Sequence, residues 1–368
     1  MSVDVSPLFT PAALGELSLA NRIVMAPMTR NASPGGVPGP NVAAYYARRA
    51  RGGVGLIITE GTYVGHPAAN GYPAVPAFHG PEALAGWGEV ARAVHAEGGK
   101  IMPQLWHVGA VRRPGIEPDP RVAGYSPSGL AKAGGRVVGH AMSDSDIADV
   151  LGAFAEAAAE AKRLGFDGVE LHGAHGYLLD QFLWEGLNQR EDGYGGTLEA
   201  RTRFVAELVR AVRKVVGSSF PVCLRYSQWK LQDYQARLAH TPDELARLLE
   251  PLAAAGVDIF HCSTRRFWAA EFEGSPLNLA GWTKKITGKA VITVGSVGIT
   301  TEFATEREDD ASRLERLAAL SARLGAGEFD LVAIGRSLIA DPDWPNKVRE
   351  GRFGELRGFD KQQLAELA

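Results

Sequence analysis

Short apolar runs recur along the chain, and each is nearly continuous in apolar residues instead of alternating with polar ones. This pattern is typical of parallel strands that are covered on both faces. Segments with the helical spacing of apolar residues lie between the runs, and several of them begin at Ser, Thr or Asp and end at Gly. The runs predict strands at 22–28, 55–62, 100–107, 168–174, 221–227, 257–264, 290–298 and 331–339.

This succession of strand–helix units predicts an α/β fold, the (β/α)₈ or TIM barrel, in a single domain over 1–368. An open doubly wound sheet normally carries a G-x-G-x-x-G turn after its first strand, and the residues after the first run, TRNASPGG, lack that spacing. A segment rich in Gly, Pro and Ser, 108–143, is inserted after the third strand. We expect it to form a loop or hairpin lid over the barrel; a plain surface excursion is the alternative.

Composition and charge narrow the class of protein. The chain is 45% hydrophobic and 22% charged, and 39 basic against 42 acidic residues give a net charge of −3. There is no block of like charge for nucleic acid and no apolar run of about eighteen residues for a membrane span, so we expect neither partner. The N-terminal residues lack a signal-peptide pattern, which predicts a cytoplasmic protein. The two cysteines, Cys223 and Cys262, both lie in apolar runs, so we expect no disulfide framework.

Polar and glycine residues occupy the predicted C-terminal strand ends, where the active sites of such barrels lie. After strands seven and eight, Gly295, Ser296, Gly335 and Arg336 indicate an anion site, because glycine lets backbone N–H groups approach a phosphate and arginine adds a forked donor. Tight turns with a surface arginine are the alternative. The other polar strand ends are Thr29, Glu60, Gln104, His172, His175 and Arg225.

His172 and His175 stand three residues apart, where an apolar run passes into a helical segment. A metal site would need further ligands, and the neighbouring strand ends instead offer Gln104, Arg225 and Arg336. A permanent cation beside a divalent metal is unfavourable, so we predict no metal. A structural pair and a pair of hydrogen-bond donors to a substrate are the other interpretations.

Several motifs together resemble the old yellow enzyme family of FMN-dependent ene-reductases, from about Leu8 to about Gly351. The most specific is HGAHGY, followed about a dozen residues later by N-x-R-x-D-x-Y-G-G. The others are NRIVMAPMTR, GLIITEGT, MPQLWHVG, ITVGSVG and AIGRSLIADPDW.

The resemblance implies that FMN lies non-covalently across the barrel mouth and is reduced by NADH or NADPH. Gln104 would bond the pyrimidine edge of the flavin, and Arg225 would lie beside N1 and the C2 carbonyl, where charge gathers on reduction. The residues implied at the phosphate are Gly295, Ser296, Val297, Gly335 and Arg336. Those implied beside the ring are Pro27, Met28, Thr29, Gly61 and His172.

The substrate implied by the resemblance is a small α,β-unsaturated molecule: an enone, an enal or a nitroalkene. His172 and His175 would donate hydrogen bonds to its carbonyl or nitro oxygen. Tyr177 would give a proton to the α-carbon while flavin N5 passes hydride to the β-carbon, in a ping-pong cycle. The implied pocket walls are Tyr72, Trp106 and Trp268, and the segment 228–240, rich in aromatic residues and Gln, is expected to shape the pocket as well.

Two other functions stay open at this point. A phosphate-binding lyase or isomerase on the same barrel would need a lysine at a strand end for Schiff-base chemistry, and none is expected, since Lys100 begins its strand and Lys230 is placed beyond the fifth. A non-catalytic flavin-binding protein would have no use for Tyr177 together with the paired donors. A monomer and a homodimer are both compatible with the sequence.

Overall fold

Eight parallel strands close into a barrel in the computed structural model, which describes residues 3–298 and 310–367. The last strand pairs with the first through Val332↔Ile23 and Ile334↔Met25, so the sheet has no open edge. The (β/α)₈ prediction is confirmed. The barrel strands are β1 (Ile23–Met25), β2 (Leu56–Tyr63), β3 (Lys100–Trp106), β4 (Val169–His175), β5 (Val222–Lys230), β6 (Ile259–Ser263), β7 (Ala290–Val294) and β8 (Leu331–Ile334).

Helices follow the strands, as the periodicity predicted. The one after β3 starts where expected, because Ser143 Oγ accepts from the backbone of Asp146 at 3.2 Å and the Asp146 carboxylate accepts from Ser143 N at 2.7 Å. The helices are α1 (Pro40–Arg51), α2 (Pro81–Ala96), α3 (Asp144–Arg163), α4 (Leu178–Leu183), α5 (Leu198–Val216), α6 (Pro242–Ala255), α7 (Leu279–Thr287), α8 (Asp310–Gly325), α9 (Arg336–Ala340) and α10 (Trp344–Arg349).

Several strands are shorter than the apolar runs that predicted them. The run at 331–339 contains β8 up to Ile334 and then helix α9, whose Leu338 and Ile339 are buried as helical residues. The run at 290–298 likewise leaves the strand at Val294 and continues as a loop. Apolar character alone cannot separate a buried strand from the buried start of the next helix, which explains the difference.

The barrel interior is filled by apolar side chains at its N-terminal end. An antiparallel hairpin, Ala12–Leu14 with Leu17–Leu19, closes that end and packs Leu17 and Leu19 against the interior layer. The interior residues from the strands include Val24, Ile58, Met102, Ile259 and Ile292. Cys223 and Cys262 are buried and free. The polar residues of interest therefore stand at the opposite, C-terminal end.

The insertion after β3 forms a compact loop. Its two short strands, Tyr125–Ser126 and His140–Ala141, pair in parallel, and only the isolated bridge Leu130↔Val137 is antiparallel. The buried guanidinium of Arg112 donates to the backbone carbonyls of Asn70, Ile116, Glu117, Asp119 and Val122. The insertion is thereby fixed to the loop after β2, and its service as a lid stays a prediction. Within the described ranges, no helix has the length and apolar content of a bilayer span.

Candidate active site

A cavity of about 330 Å³ opens at the C-terminal end of the barrel, a volume at the lower end of the range for ligand pockets, roughly 300–1,000 Å³. It is lined by residues at the ends of β1, β4, β5, β6, β7 and β8 and in the loops after them. The sequence-predicted residues that line it are Pro27, Met28, His175, Arg225, Gly295, Ser296, Val297, Gly335 and Arg336.

One side of the cavity is built from the two glycine loops after β7 and β8. Gly295 has φ +147°, and a Cβ there would lie 2.7–2.9 Å from atoms of Thr264 and Arg266, so the loop needs glycine at this position. Ser337 Oγ donates to the carbonyl of Val297 at 3.0 Å, which ties the two loops together. The guanidinium of Arg336 lies 5.9 Å from the centre of the Phe359 ring. The structure therefore brings the predicted anion-binding residues to one place.

Arg225, on β5, reaches the cavity from the barrel interior. Its Nη2 donates to Ser263 Oγ at 3.2 Å, and its buried Nε has no hydrogen-bond partner. Burial lowers the pKa of the Arg225 guanidinium, and the carboxylate of Glu170 works against that shift. The cavity thus has a buried cation with a donor that a ligand could satisfy.

Beneath Arg225, the carboxylate of Glu170 lies fully buried in the barrel. It accepts from Nε2 of Gln104 at 2.7 Å and from Nδ1 of His261 at 2.6 Å. Burial alone would raise the pKa of the Glu170 carboxyl, but His261, Arg225 and Gln104 together hold it below its usual value. Gln104 donates one N–H to Glu170, and its second N–H and its carbonyl oxygen remain available to a ligand.

The predicted ring contacts on β1 and β2 differ in exposure. Thr29 is exposed and lies outside the cavity lining, two residues beyond Pro27. Gly61 is fully packed: a Cβ on it would come within 2.5 Å of the Trp106 ring. Glycine at 61 is therefore required by the indole.

The two histidines meet at the end of β4. Their ring centres are 5.2 Å apart and their planes nearly perpendicular. His172 Nδ1 is buried without a partner, whereas the His175 ring stacks on Trp229 at 4.6 Å. Burial, reinforced by the charge of Arg225, lowers the pKa of both imidazoles well below the usual value, so both are neutral at pH 7.

A hydroxyl selects the tautomer of His175. Its Nε2 lies 2.7 Å from Ser263 Oγ, and the same oxygen accepts from Arg225. A serine hydroxyl has one hydrogen to donate, and the neighbouring acceptor for it is Nε2 of His175, since Arg225 can only donate to the oxygen. This arrangement favours the tautomer of His175 with its N–H on Nδ1, the nitrogen that is not bonded to Ser263.

Tyr177 stands among aromatic side chains next to the histidines. Its hydroxyl is 3.0 Å from the hydroxyl of Tyr72, and its ring lies 5.0 Å from His172 and 4.8 Å from Trp106. Tyr72 also stacks on Trp106, with 5.4 Å between the rings. Burial raises the pKa of the Tyr177 phenol above its ordinary value, and Tyr72 adds to the rise. Tyr177 is therefore a protonated acid close to two neutral donors.

Among residues 3–298 and 310–367, no three His, Cys, Asp or Glu side chains group in a way that could hold a metal ion. The histidine pair has Trp229, Ser263 and Tyr177 as neighbours, which are not metal ligands of the usual kind. The arrangement is that of hydrogen-bond donors and an acid.

Comparison with known proteins agrees with this geometry. A sequence model of the NADH:flavin oxidoreductase / NADH oxidase family matches residues 7–355. The chain is 36% identical over 359 residues to an NADH oxidase from Thermoanaerobacter brockii, covering 95% of the chain but 52% of that relative. The chain thus spans about half the length of that protein. It is 34% identical over 369 residues to 12-oxophytodienoate reductase 2 from Arabidopsis thaliana, covering 93% of the chain and 88% of the relative.

Solved structures give the same answer. Morphinone reductase in complex with tetrahydroNAD superimposes with a TM-score of 0.80 at 33% identity, covering 97% of this chain and 93% of that one. The chain belongs to the old yellow enzyme family. Two residues named from the sequence, Trp268 and Lys230, do not line the cavity.

Trp268 is absent from the lining of this cavity, as are Tyr72 and Trp106, so its role as a pocket wall stays a prediction. The Trp268 ring lies 4.1 Å beneath the guanidinium of Arg316 on α8 and edge-on to Phe267. Trp229 and Tyr234 line the cavity instead, and both come from the segment 228–240. The unusual composition of that segment was the available signal, but composition alone did not select these two aromatic residues.

Lys230 is the last residue of β5, so its placement beyond the fifth strand was wrong. Its ammonium is fully buried and donates to Asp180 Oδ1 at 2.7 Å and to the carbonyl of Ser227 at 3.0 Å. It does not line the cavity. A Schiff-base enzyme needs an amine that reaches its substrate, so this strand-end lysine does not revive the lyase or isomerase alternative.

Proposed function

We propose that this member of the old yellow enzyme family is an ene-reductase that uses FMN and NADH or NADPH to reduce activated carbon–carbon double bonds. The observation that carries the proposal is the meeting of Tyr177, kept protonated, with the neutral pair His172 and His175 beside the cavity that Arg225 and the glycine loops line. A protein that merely stores flavin has no need of a buried acid in that position.

The cavity residues fit FMN. Arg225 Nε and His172 Nδ1 are buried polar atoms without partners, and Arg225 lines the cavity, so a bound ligand could supply the partners. Gly295 leaves the backbone of the β7 loop open to a phosphate, and Arg336 from the next loop would complete that contact. Gln104 would offer its remaining N–H and carbonyl to the pyrimidine edge. When bound, FMN would take a hydride from the nicotinamide and give it to the alkene.

The protein's own part begins with the substrate oxygen. Two neutral imidazoles 5.2 Å apart can both donate to one carbonyl or nitro oxygen between them. Negative charge builds on that oxygen as the alkene accepts a hydride, and donors held in place before the reaction stabilise it without reorganising. His172 and His175 would thus polarise the double bond.

The second part is the proton. Tyr177 would hand its phenolic proton to the α-carbon, and Tyr72, at 3.0 Å, would hold the phenol in place and stabilise the phenolate that forms. The same hydroxyl chain can return a proton from solvent, because Tyr72 is only half-buried. The aromatic walls Trp106 and Trp229 would exclude water from the region between.

The test uses the purified protein under nitrogen. A yellow protein whose flavin absorbance is bleached by NADPH or NADH and restored by 2-cyclohexenone supports the proposal. A flavin that the nicotinamide bleaches but only oxygen restores contradicts it in favour of an oxidase. A flavin that neither nicotinamide reduces identifies a non-catalytic binding protein.

A further inference from the structure

A buried ion pair lies directly behind His175. Asp180, on α4, and Lys230, at the end of β5, have no side-chain exposure, and their charged atoms are 2.7 Å apart. In the barrel sheet, Lys230 is the register partner of His175. Burying two charges costs more free energy than burying apolar residues of the same size, so the pair invites a functional explanation.

The pair is bonded to the backbone around His175. Asp180 Oδ2 accepts from the N–H of Gly176 at 2.6 Å, and Lys230 Nζ donates to the carbonyl of Ser227 at 3.0 Å. Ser227 Oγ in turn accepts from the N–H of His175 at 3.0 Å. We call Asp180, Lys230 and Ser227 the His175 clamp.

The backbone that the clamp holds is unusual. His175 has φ +65° and Gly176 φ +81°, and a histidine adopts the left-handed region only at an energetic cost. The pairing of β4 with β5 also slips between Gly173 and His175. Side chains three apart on a regular strand point to opposite faces of the sheet. The slip and the left-handed turn are what bring the two imidazoles to within 5.2 Å of each other.

We propose that Asp180 and Lys230 are positioning residues that hold the left-handed turn at His175 and thereby aim its imidazole at the substrate oxygen beside His172. The role in substrate binding rests on the proposed ene-reductase function. Asp180 and Lys230 do not line the cavity, and the clamp reaches the lining through Ser227, which is bonded to His175 and to the carbonyl of Trp229. We therefore expect the clamp to act on the substrate donors and not on the phosphate side of the FMN site.

The test replaces both charges at once. The double variant Asp180→Leu with Lys230→Met leaves no unpaired buried charge and keeps the side-chain volumes close. Each variant is loaded with FMN and titrated with a phenol, whose phenolate oxygen occupies the place of the substrate oxygen and gives a long-wavelength absorption band over flavin. We expect phenol affinity at least about tenfold weaker, because one of two donors is misaimed, with FMN affinity within about twofold of the parent.

The matched control lies at the other end of the barrel. Asp330 accepts from Lys284 Nζ at 2.8 Å through one oxygen and from the N–H of Val291 at 2.9 Å through the other, the same bonding pattern as Asp180. Asp330→Leu with Lys284→Met should leave phenol affinity unchanged. Equal weakening in both double variants would show general loosening and overturn the proposal, as would parental phenol affinity in the Asp180 and Lys230 variant.

Two further measurements cover a variant that does not fold and a failure of the proposed function. Ser227→Ala removes the acceptor of the His175 N–H and also the hydrogen bond that Ser227 Oγ donates to the carbonyl of Trp229 at 2.7 Å. We expect phenol affinity about threefold to tenfold weaker; an unchanged affinity contradicts the clamp. If the parent protein gives no phenol band, the ene-reductase function fails. The effect of the clamp is then measured on the imidazole nitrogen NMR signals of His175 in the FMN-free protein. Those signals are assigned by their loss in His175→Gln. Signals that do not move in Asp180→Leu with Lys230→Met overturn it.

Discussion

The loops that reverse the chain differ between the two ends of this barrel. At the N-terminal end, each loop that leads into a strand from β2 to β8 uses a glycine with positive φ, the ordinary C-terminal cap of a helix. These glycines are Gly53, Gly98, Gly165, Gly217, Gly256, Gly288 and Gly327. Among the described residues, the non-glycine residues with positive φ are Asn31, Ala74, His175 and Ser296, and all of them are at the C-terminal end.

Polar groups show the same division. At the N-terminal end, Asp167, Asp258 and Asp330 each precede a strand, pair with a cation and accept a backbone N–H. At the C-terminal end, polar atoms of Trp106, His172 and Arg225 are buried without partners. Strained turns and unsatisfied atoms persist where function requires them, whereas the opposite end is optimised for stability. Ligand contacts should therefore be lost by changes at one end only.

The largest effect is expected from removing both imidazoles. His172→Ala with His175→Ala deletes the two donors to the substrate oxygen, and one such donor is worth about a hundredfold to a thousandfold in rate. We expect flavin reoxidation by 2-cyclohexenone to slow by at least about a thousandfold and the phenol band to disappear. Stopped-flow absorbance under nitrogen measures the first and titration the second. A double variant that still binds phenol would refute the assignment of these donors.

Next comes the acid. Tyr177→Phe keeps the ring against Trp106 and removes only the proton, so the alkene half-reaction should slow by about a hundredfold or more. Flavin reduction by the nicotinamide needs no proton from this residue and should keep its rate. Stopped flow separates the two half-reactions, and equal slowing of both would mean that Tyr177 shapes the pocket instead. Tyr72→Phe leaves the Tyr177 proton in place but removes the hydroxyl that would stabilise the phenolate, so we expect a smaller slowing of the same half-reaction.

The repeating part of the molecule could be predicted from the sequence, and particular residues show why. A glycine after a helical stretch predicts each loop from a helix to the next strand, and an apolar run predicts each strand. Both signals depend on residues that are close in sequence. Strand ends were less predictable: β8 stops at Ile334 and β5 continues to Lys230. The position of a strand end depends on hydrogen-bond partners in the neighbouring strands, and the sequence of one strand does not specify those partners.

The candidate site divides in the same way. Glycine loops such as the one at Gly295 and the HGAHGY motif are local, and the structure brings their residues together. Glu170, Ser263 and Trp229 gain their places from strands that meet only when the barrel closes. Trp268 shows the converse case, since it is an aromatic residue of the loop after β6 whose ring packs against Arg316 on α8. Aromatic composition predicts that a wall exists but not which ring forms it.

A third change probes the glycine-loop side of the cavity. Arg336→Ala removes a charged donor expected at the phosphate, and a charge-assisted hydrogen bond is worth about 1.5–3 kcal/mol, roughly a tenfold to hundredfold loss of affinity. We expect FMN to bind the apoprotein correspondingly more weakly. Riboflavin, which lacks the phosphate, should bind parent and variant alike. Equal weakening for riboflavin would place Arg336 away from the phosphate.

Acid should expose the cost of the buried imidazoles. Burial lowers the pKa of His107, His172 and His175 well below the unfolded value of about 6.5. Since the folded pKa is depressed, the unfolded chain binds more protons below about pH 6.5, and stability falls as pH drops through that value. Each of these histidines lowers the free energy of unfolding by up to about 1.4 kcal/mol for each pH unit below that value. Melting temperatures between about pH 8 and pH 5.5 measure the slope, which His107→Gln should reduce.

The smallest effect is expected at the N-terminal end. Asp258→Asn weakens a partly exposed ion pair with Arg213. The amide oxygen of the variant can still accept from the N–H of Val222, which lies 2.9 Å from the Asp258 carboxylate. Pairs of this kind contribute about 1 kcal/mol or less, so we expect the melting temperature to fall by roughly 1–4 °C. Both half-reactions and phenol affinity should keep their parental values, because Asp258 lies at the N-terminal end of the barrel, opposite the cavity, and its carboxylate is bonded within the protein. A tenfold change in phenol affinity in an Asp258→Asn variant that keeps its fold would contradict the functional difference between the two ends of the barrel.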